Sequence, residues 1–367
     1  MNRSRDRHGN LLPEPDALQH RRALQHEPAP ERAPRPLPLF LELVRMMAER
    51  DPELGRAALD GLSAYERAPR PAPVPPRPEV ARAGPVRLRD HGGSGPPAIL
   101  VPSLINPPHI LDLDSEVSLA AAIAAMGRRV LLLDWGEARE RGEHDVSHHV
   151  EKLLLPLLGE LGEPAALVGY CLGGTMAIAA ANLAPVERVV TLAAPWSFSA
   201  YPADSRENVQ RMWRHSQSAA QALGALPMEV LQAAFWSLDP ERTVTKFARF
   251  ATLDPAGAEA RRFVQLEDWA NQGEPLPCAA AAELIEQFFG ADTPGSGGWT
   301  ISGTTITDRM GVPALHFTAG RDRIAPAATA PAGETVPIAA GHVGMVVGRA
   351  REQLHVGLRR FLDPYCR

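Results

Sequence analysis

The sequence predicts an α/β fold in which a mostly parallel, doubly wound sheet is interrupted by an inserted helical cap. Three observations carry that prediction. Short, unbroken aliphatic strands alternate with helices from Pro85 to Ala193, this rhythm stops between Pro195 and about Gly298, and it resumes at Pro313. Uninterrupted apolar strands separated by helices are what a parallel sheet buried on both faces requires. A chain of 367 residues with 45% hydrophobic content is long enough to bury such a core.

Residues 1–36 mix Arg, Pro, Glu and His with few aliphatics, and are expected to form a disordered tail because so little apolar surface cannot offset the entropy of ordering. Residues 37–67 read as an amphipathic helical hairpin. Leu39, Phe40, Leu43, Val44 and Met47 recur at helical spacing, and Asp51 followed by Pro52 opens a second helix bearing Leu54, Ala58, Leu62 and Tyr65. Packing on the main domain is its first expected role, and docking to a partner or a hydrophobic surface is the alternative. Residues 68–84 are proline-rich and read as an extended linker. The first part of the α/β core, 85–194, begins with Val86–Leu88 and Ala98–Val101 around His-Gly-Gly-Ser-Gly, which looks like a hairpin turn. A helix from Ser115 to Met126, a strand Val130–Asp134, a helix from Asp145 through Leu161, a strand Ala165–Gly169, a helix Gly173–Leu183 and a strand Val186–Ala193 follow. The cap is expected over 195–298. The core resumes over 299–367 with strands Pro313–Ala319 and Thr335–Ala339 and a last helix to about Leu362.

The formal charge of -5 and the pI near 6.2 argue against nucleic-acid binding, and with lysine only at Lys152 and Lys246 nearly all the positive charge is arginine, which suits phosphate contacts but is read as a compositional bias. Cys171, Cys278 and Cys366 form no CxxC pair and are odd in number, which fits a reducing cytoplasm and suggests neither a disulfide framework nor a zinc knuckle. The polar N-terminus lacks the apolar core of a secretory signal, and no segment reaches the roughly 18 apolar residues of a transmembrane span.

The chemistry concentrates at Val168-Gly169-Tyr170-Cys171-Leu172-Gly173-Gly174, which has the G-x-nucleophile-x-G form of a nucleophile elbow with Cys in place of Ser. A lone Cys is usually a small buried hydrophobe. Here a strand precedes it, glycines flank it, and a helix rich in small residues (Gly174, Thr175, Ala177, Ala179, Ala180) follows, an arrangement that presents the sulfur at a tight bend and aims a helix N-terminus at it, favouring a thiolate. This points to the α/β-hydrolase fold. In that fold the acid and the base follow the nucleophile on loops after later strands. Gly320-Arg321-Asp322 supplies Asp322 as the acid, and Ala340-Gly341-His342 supplies His342 as the base. His342 would take the thiol proton and later activate the acceptor, while Asp322 would hold its tautomer and stabilise the imidazolium. The oxyanion hole is expected from the backbone amide of Leu172 and from one near Ser103 or Leu104, of which Leu104 is the choice. His144, Asp145, His148 and His149 form a weaker, competing cluster in which His144 and His148 could share a helix face as metal ligands, but no further ligand lies nearby, so no metal is expected.

With these residues identified, the chain resembles the polyhydroxyalkanoate synthases, particularly their short class III catalytic subunits. The resemblance rests on Val101-Pro102-Ser103-Leu104-Ile105-Asn106 with Ile110-Leu111-Asp112-Leu113, on Leu133-Asp134-Trp135-Gly136, and on the Gly169–Gly174 box. It covers residues 85 to 362 and is firmest in the sheet; Arg323 stands where the family has His after its triad Asp. It implies an acyltransferase that polymerises 3-hydroxyacyl-coenzyme A through an acyl thioester on Cys171, with coenzyme A entering as part of the substrate and no separate cofactor. It also implies association with a polyester granule surface and with a second synthase subunit or a second copy of the chain. A hydrolase (thioesterase, polyester depolymerase or dienelactone hydrolase-like) would use the same three residues with water as acceptor. Dienelactone hydrolases share Gly-Tyr-Cys-Leu-Gly-Gly, but they are compact between Cys and Asp and lack the Leu-Ile-Asn and Asp-Trp-Gly blocks. A non-catalytic scaffold bound to granules through the Leu37–Tyr65 helices is the reading outside enzymology.

Overall fold

The structure is a computed structural model that describes residues 32–71 and 75–363, and from Pro34 onward these belong to one unit. The expected tail, up to residue 31, Cys366 and residues 72–74 of the expected linker lie outside the described residues.

Two helices open the unit, α1 (Leu37–Ala48) and α2 (Pro52–Arg67). Asp51 caps α2 by accepting the N–H groups of Glu53 and Leu54 at 3.1 and 3.0 Å, and Pro52 occupies the first turn, where its missing N–H costs nothing. Eight strands form the central sheet: β1 (Glu79–Ala83), β2 (Val86–Asp90), β3 (Pro97–Val101), β4 (Arg129–Asp134), β5 (Ala166–Tyr170), β6 (Arg188–Leu192), β7 (Ala314–Ala319) and β8 (Thr335–Ile338). Their spatial order is β1-β2-β4-β3-β5-β6-β7-β8. The β1–β2 and β2–β4 pairs are antiparallel and the others parallel, which is the topology of the α/β-hydrolase fold.

The segment read as linker contains β1, whose alternation of exposed and buried residues was hidden behind the proline run. The apparent hairpin between β2 and β3 does not exist, because β4 lies between them. The glycines there serve close packing instead: a Cβ on Gly93 would lie 2.0 Å from the carbonyl oxygen of Arg128, and one on Gly95 would lie 2.4 Å from that of Gly127, so the loop runs hard against the approach to β4.

Because strand side chains alternate, β3 and β4 feed two separate cores. Ile99, Val101, Leu131 and Leu133 point to one face, packed with Met176 and Ile178 of α4 (Leu172–Leu183). Ala98, Leu100, Val130 and Leu132 point to the other, against Leu119 and Ile123 of α3 (Leu119–Ala124) and Leu354, Leu358 and Leu362 of the helix Arg351–Leu362. Each fully buried aliphatic side chain there contributes about 1.5–3 kcal/mol before entropy is counted.

Between β6 and β7 run the helices α5 (Ala203–Leu223), α6 (Met228–Ser237), α7 (Pro240–Phe250) and α8 (Ala258–Asn271). The α1–α2 hairpin packs on this helical layer rather than on the sheet. Phe40, Val44, Ala58, Leu62 and Tyr65 share a core with Trp236, Val244, Phe247 and Phe250. Contact is backbone to backbone at Gly61, where a Cβ would lie 1.9 Å from the carbonyl oxygen of Phe247. The Tyr65 hydroxyl donates to Asp268 at 2.5 Å, and Arg70 adds bonds to the same carboxylate at 3.0 Å. Among the described residues no helix is long and apolar enough to cross a membrane.

Candidate active site

Parallel strands end together at one edge of the sheet, and the loops leaving them there meet at a common site. The turn after β5 carries Cys171 with φ 55° and ψ -131°, a conformation that L-residues adopt only at a cost of about 1–3 kcal/mol. Neighbouring structure holds it: the Cys171 N–H donates to Leu192 at 2.9 Å, and the Cys171 carbonyl accepts from Gly174 at 2.8 Å. The glycines of the motif are sterically required. A Cβ on Gly169 would sit 2.4 Å from the Gly174 Cα, one on Gly173 would sit 2.1 Å from the Val101 carbonyl oxygen, and one on Gly174 would sit 2.4 Å from the Ala194 Cβ. The start of α4 is thereby pressed against the end of β3.

Asp322 and His342 come from the loops after β7 and β8. Arg321 ties these loops together, its backbone N–H donating to the Ala340 carbonyl at 2.9 Å and its guanidinium to Ala339 at 3.0 Å. The Asp322 side chain is fully buried. One oxygen accepts the N–H groups of Ile324 and Ala325 at 2.8 and 3.0 Å, and the other faces His342 Nδ1 at 2.7 Å. The charge on Cys171 reaches the imidazole. Burial opposes a charge on His342, but the negative charges of Cys171 and Asp322 outweigh it and push the imidazole pKa up from 6.5 to about 10. The three residues singled out from the sequence thus converge on one spot.

Two tyrosines that the sequence reading did not single out buttress them. The Tyr170 ring lies against His342, with centroids 5.0 Å apart, and its hydroxyl donates to the His342 carbonyl at 3.3 Å. Tyr201 donates to the Ile324 carbonyl at 2.9 Å, steadying the loop that carries Asp322 from the cap side. Tyr170 was visible as the neighbour of Cys171, whereas nothing local marks Tyr201.

Leu172 is the first residue of α4, so its N–H has no carbonyl within the helix to receive it. Leu104 lies in the loop after β3, and Trp135 braces that loop through a 3.1 Å hydrogen bond from its indole to the Pro102 carbonyl, which gives the Asp-Trp-Gly block a physical task. The side chain of Leu104 is buried, while that of its neighbour Ile105 reaches the same cavity as Cys171. That cavity, about 820 Å³, lies under the cap and is walled mainly by apolar side chains including Phe198, Met212, Val230, Leu284 and Phe289. Its charged lining residues are Arg323 and Glu229, and Arg35 holds the latter in an ion pair.

Each histidine of the competing cluster has at least one ring nitrogen against a protein group. His149 is buried, its Nδ1 lies 2.6 Å from the Asp145 carbonyl, and its Nε2 lies 3.2 Å from the buried guanidinium of Arg141. Burial first, and Arg141 next, push its pKa down to about 3, so it is a neutral acceptor. His148 Nδ1 pairs with Asp145 at 2.8 Å, and His144 Nδ1 contacts the Arg141 carbonyl.

No protein-family model matches the chain. Curated relatives do. A poly(3-hydroxyalkanoate) polymerase subunit PhaC from Haloferax mediterranei is 27% identical over 275 residues, covering 68% of this chain and 55% of that protein. The PhaC subunit of Haloarcula marismortui is 25% identical over 286 residues, covering 73% and 60%, and that of Allochromatium vinosum is 23% identical over 290 residues, covering 73% and 80%. The chain therefore spans little more than half the length of the first two. Among solved structures, a bromoperoxidase from Bacillus anthracis aligns with TM-score 0.49 at 15% identity, over 77% of this chain and 99% of that one. An alpha/beta hydrolase fold protein from Nakamurella multipartita aligns with TM-score 0.47 at 18% identity, over 78% and 99%. The chain thus has the sheet topology of the α/β-hydrolase fold and is similar in sequence to poly(3-hydroxyalkanoate) polymerase subunits.

Proposed function

We propose that the protein is an acyltransferase that polymerises 3-hydroxyacyl groups from coenzyme A thioesters through an acyl thioester on Cys171. The observation that carries this reading is a sulfur held at a strained bend, beside an imidazole raised to about 10, facing a capped apolar cavity. The Cys171 thiolate attacks the thioester carbonyl, and the N–H groups of Leu172 and Leu104 receive the developing oxyanion. The carbon–sulfur bond to coenzyme A breaks, and His342 protonates the departing thiolate. Exchanging one thioester for another keeps the acyl group activated. His342 then removes the proton from the 3-hydroxyl of a second acyl unit, whose oxygen attacks the enzyme thioester to form an ester; the bond from the acyl carbon to the Cys171 sulfur breaks, and the thiolate returns beside the imidazolium that Asp322 stabilises. The apolar walls favour an acyl acceptor over water, whose attack would end the chain as a free acid. Similarity to polymerase subunits supports association with a polyester granule and with a second subunit or a second copy of this chain.

Incubating the protein with 3-hydroxybutyryl-coenzyme A should release coenzyme A and deposit insoluble polyester, with a mass increment on Cys171 that Cys171→Ala abolishes. Free 3-hydroxy acid as the sole product would assign the same site to a hydrolase, and an acyl label that persists in Cys171→Ala would refute the nucleophile. If neither label nor product forms while granules still bind the Cys171→Ala protein, the scaffold reading prevails.

A further inference from the structure

Arg323 follows the triad acid directly, yet its side chain leaves the core and crosses to the cap. Its guanidinium donates to the Leu238 carbonyl at the end of α6, at 3.0 Å, and pairs with Asp239, also at 3.0 Å. The pair is open to solvent, with the Arg323 side chain 64% and that of Asp239 32% exposed. Exposed pairs of this kind contribute little to stability, so Asp239 is an exchangeable partner. Arg323 is also the one cation among the described residues lining the cavity that Cys171 faces, and the one anion there, Glu229, already has Arg35. The cavity thus has a nucleophile within, apolar walls along its length and a weakly engaged guanidinium on its solvent side. That polarity matches a ligand with an acyl thioester at one end, a neutral arm and an anionic head that stays wet.

We propose that Arg323 binds phosphate groups of the coenzyme A substrate at the cavity mouth, and that Asp239 occupies the same guanidinium until the substrate displaces it. The proposal rests on the acyl-coenzyme A reading above. A phosphate offers a planar guanidinium two charge-assisted hydrogen bonds and more negative charge than a carboxylate, so the exchange is favourable. Asp239 also caps α7 through the Arg242 N–H at 3.1 Å, a task that asparagine performs equally well. Asp239→Asn therefore removes the competing charge while sparing the helix.

The test is calorimetric titration of the full chain, kept reduced, with coenzyme A and with pantetheine, which has the same arm and thiol but no phosphate. Arg323→Gln should weaken coenzyme A binding roughly tenfold or more, the scale of a lost charge-assisted contact, and leave pantetheine unchanged. Asp239→Asn should tighten coenzyme A binding several-fold and likewise leave pantetheine alone. If Arg323 were only a strap holding the cap, both substitutions would act in the same direction and on both ligands, which would overturn the proposal. Unaltered coenzyme A affinity in Arg323→Gln would overturn it too. Cys171 acylation by a coenzyme A thioester, followed separately by intact mass, reports on the parent reading, since its absence leaves the binding comparison intact.

Discussion

Asp322→Asn tests whether the buried carboxylate acts by charge and tautomer or merely by shape. The oxygen that accepts Ile324 and Ala325 is kept in asparagine, so the turn survives. The oxygen facing His342 Nδ1 at 2.7 Å becomes an NH₂ group, which sets donor against donor. Once neutral, the imidazole must keep its remaining proton on Nε2, the nitrogen that should take the proton of the 3-hydroxyl, and the imidazolium loses its counter-charge. Making a triad acid neutral in this way costs roughly 10⁴ in kcat, about 5 kcal/mol of transition-state stabilisation. Coenzyme A release, followed with a chromogenic thiol reagent, should fall by that order, and alkylation of Cys171 by iodoacetamide should slow near neutral pH. Stability to urea near neutral pH should fall by about 3–5 kcal/mol, the scale of a buried ion pair that loses one partner. A kcat within tenfold of wild type, in a folded Asp322→Asn protein, would refute the role given to the carboxylate.

The His342 imidazole, observed by NMR in labelled protein, should titrate near pH 10 and at lower pH in Cys171→Ala, where one of the two negative charges is gone; titration near 6.5 in the wild type would contradict the electrostatic picture. Because its pKa is raised above the unfolded value near 6.5, the stability it contributes is whole below that pH and lost as pH rises through about 10. Gly61→Ala, by forcing a methyl to within 1.9 Å of the Phe247 carbonyl oxygen, should destabilise the union of α2 and α7 by about 1–3 kcal/mol in urea unfolding. A change below about 0.5 kcal/mol, the scale of an inert surface substitution, would mean the two helices are free to part.

What the sequence determined by itself was whatever short-range chemistry encodes. Gly169, Gly173 and Gly174 around Cys171 announced a bend that tolerates no side chains, and the unbroken aliphatic runs of β3, β4 and β5 announced a sheet covered on both sides. Asp322 and His342 were legible because each stands just past a strand whose end lies at the same sheet edge as Cys171. Long-range matters escaped it. The pairing of β2 with β4 rather than β3 is a choice among partners that the His91–Gly95 glycines do not express, since they serve equally for a turn or for close packing. Strand β1 was masked by the prolines before it. The hairpin's apolar stripe showed that it needed a partner but not which one, and only the tertiary structure seats it on the cap. Tyr201 and the reach of Arg323 to Asp239 belong to the same class, because a side chain's partner across distant segments is decided by how the whole chain packs, and no local pattern records it.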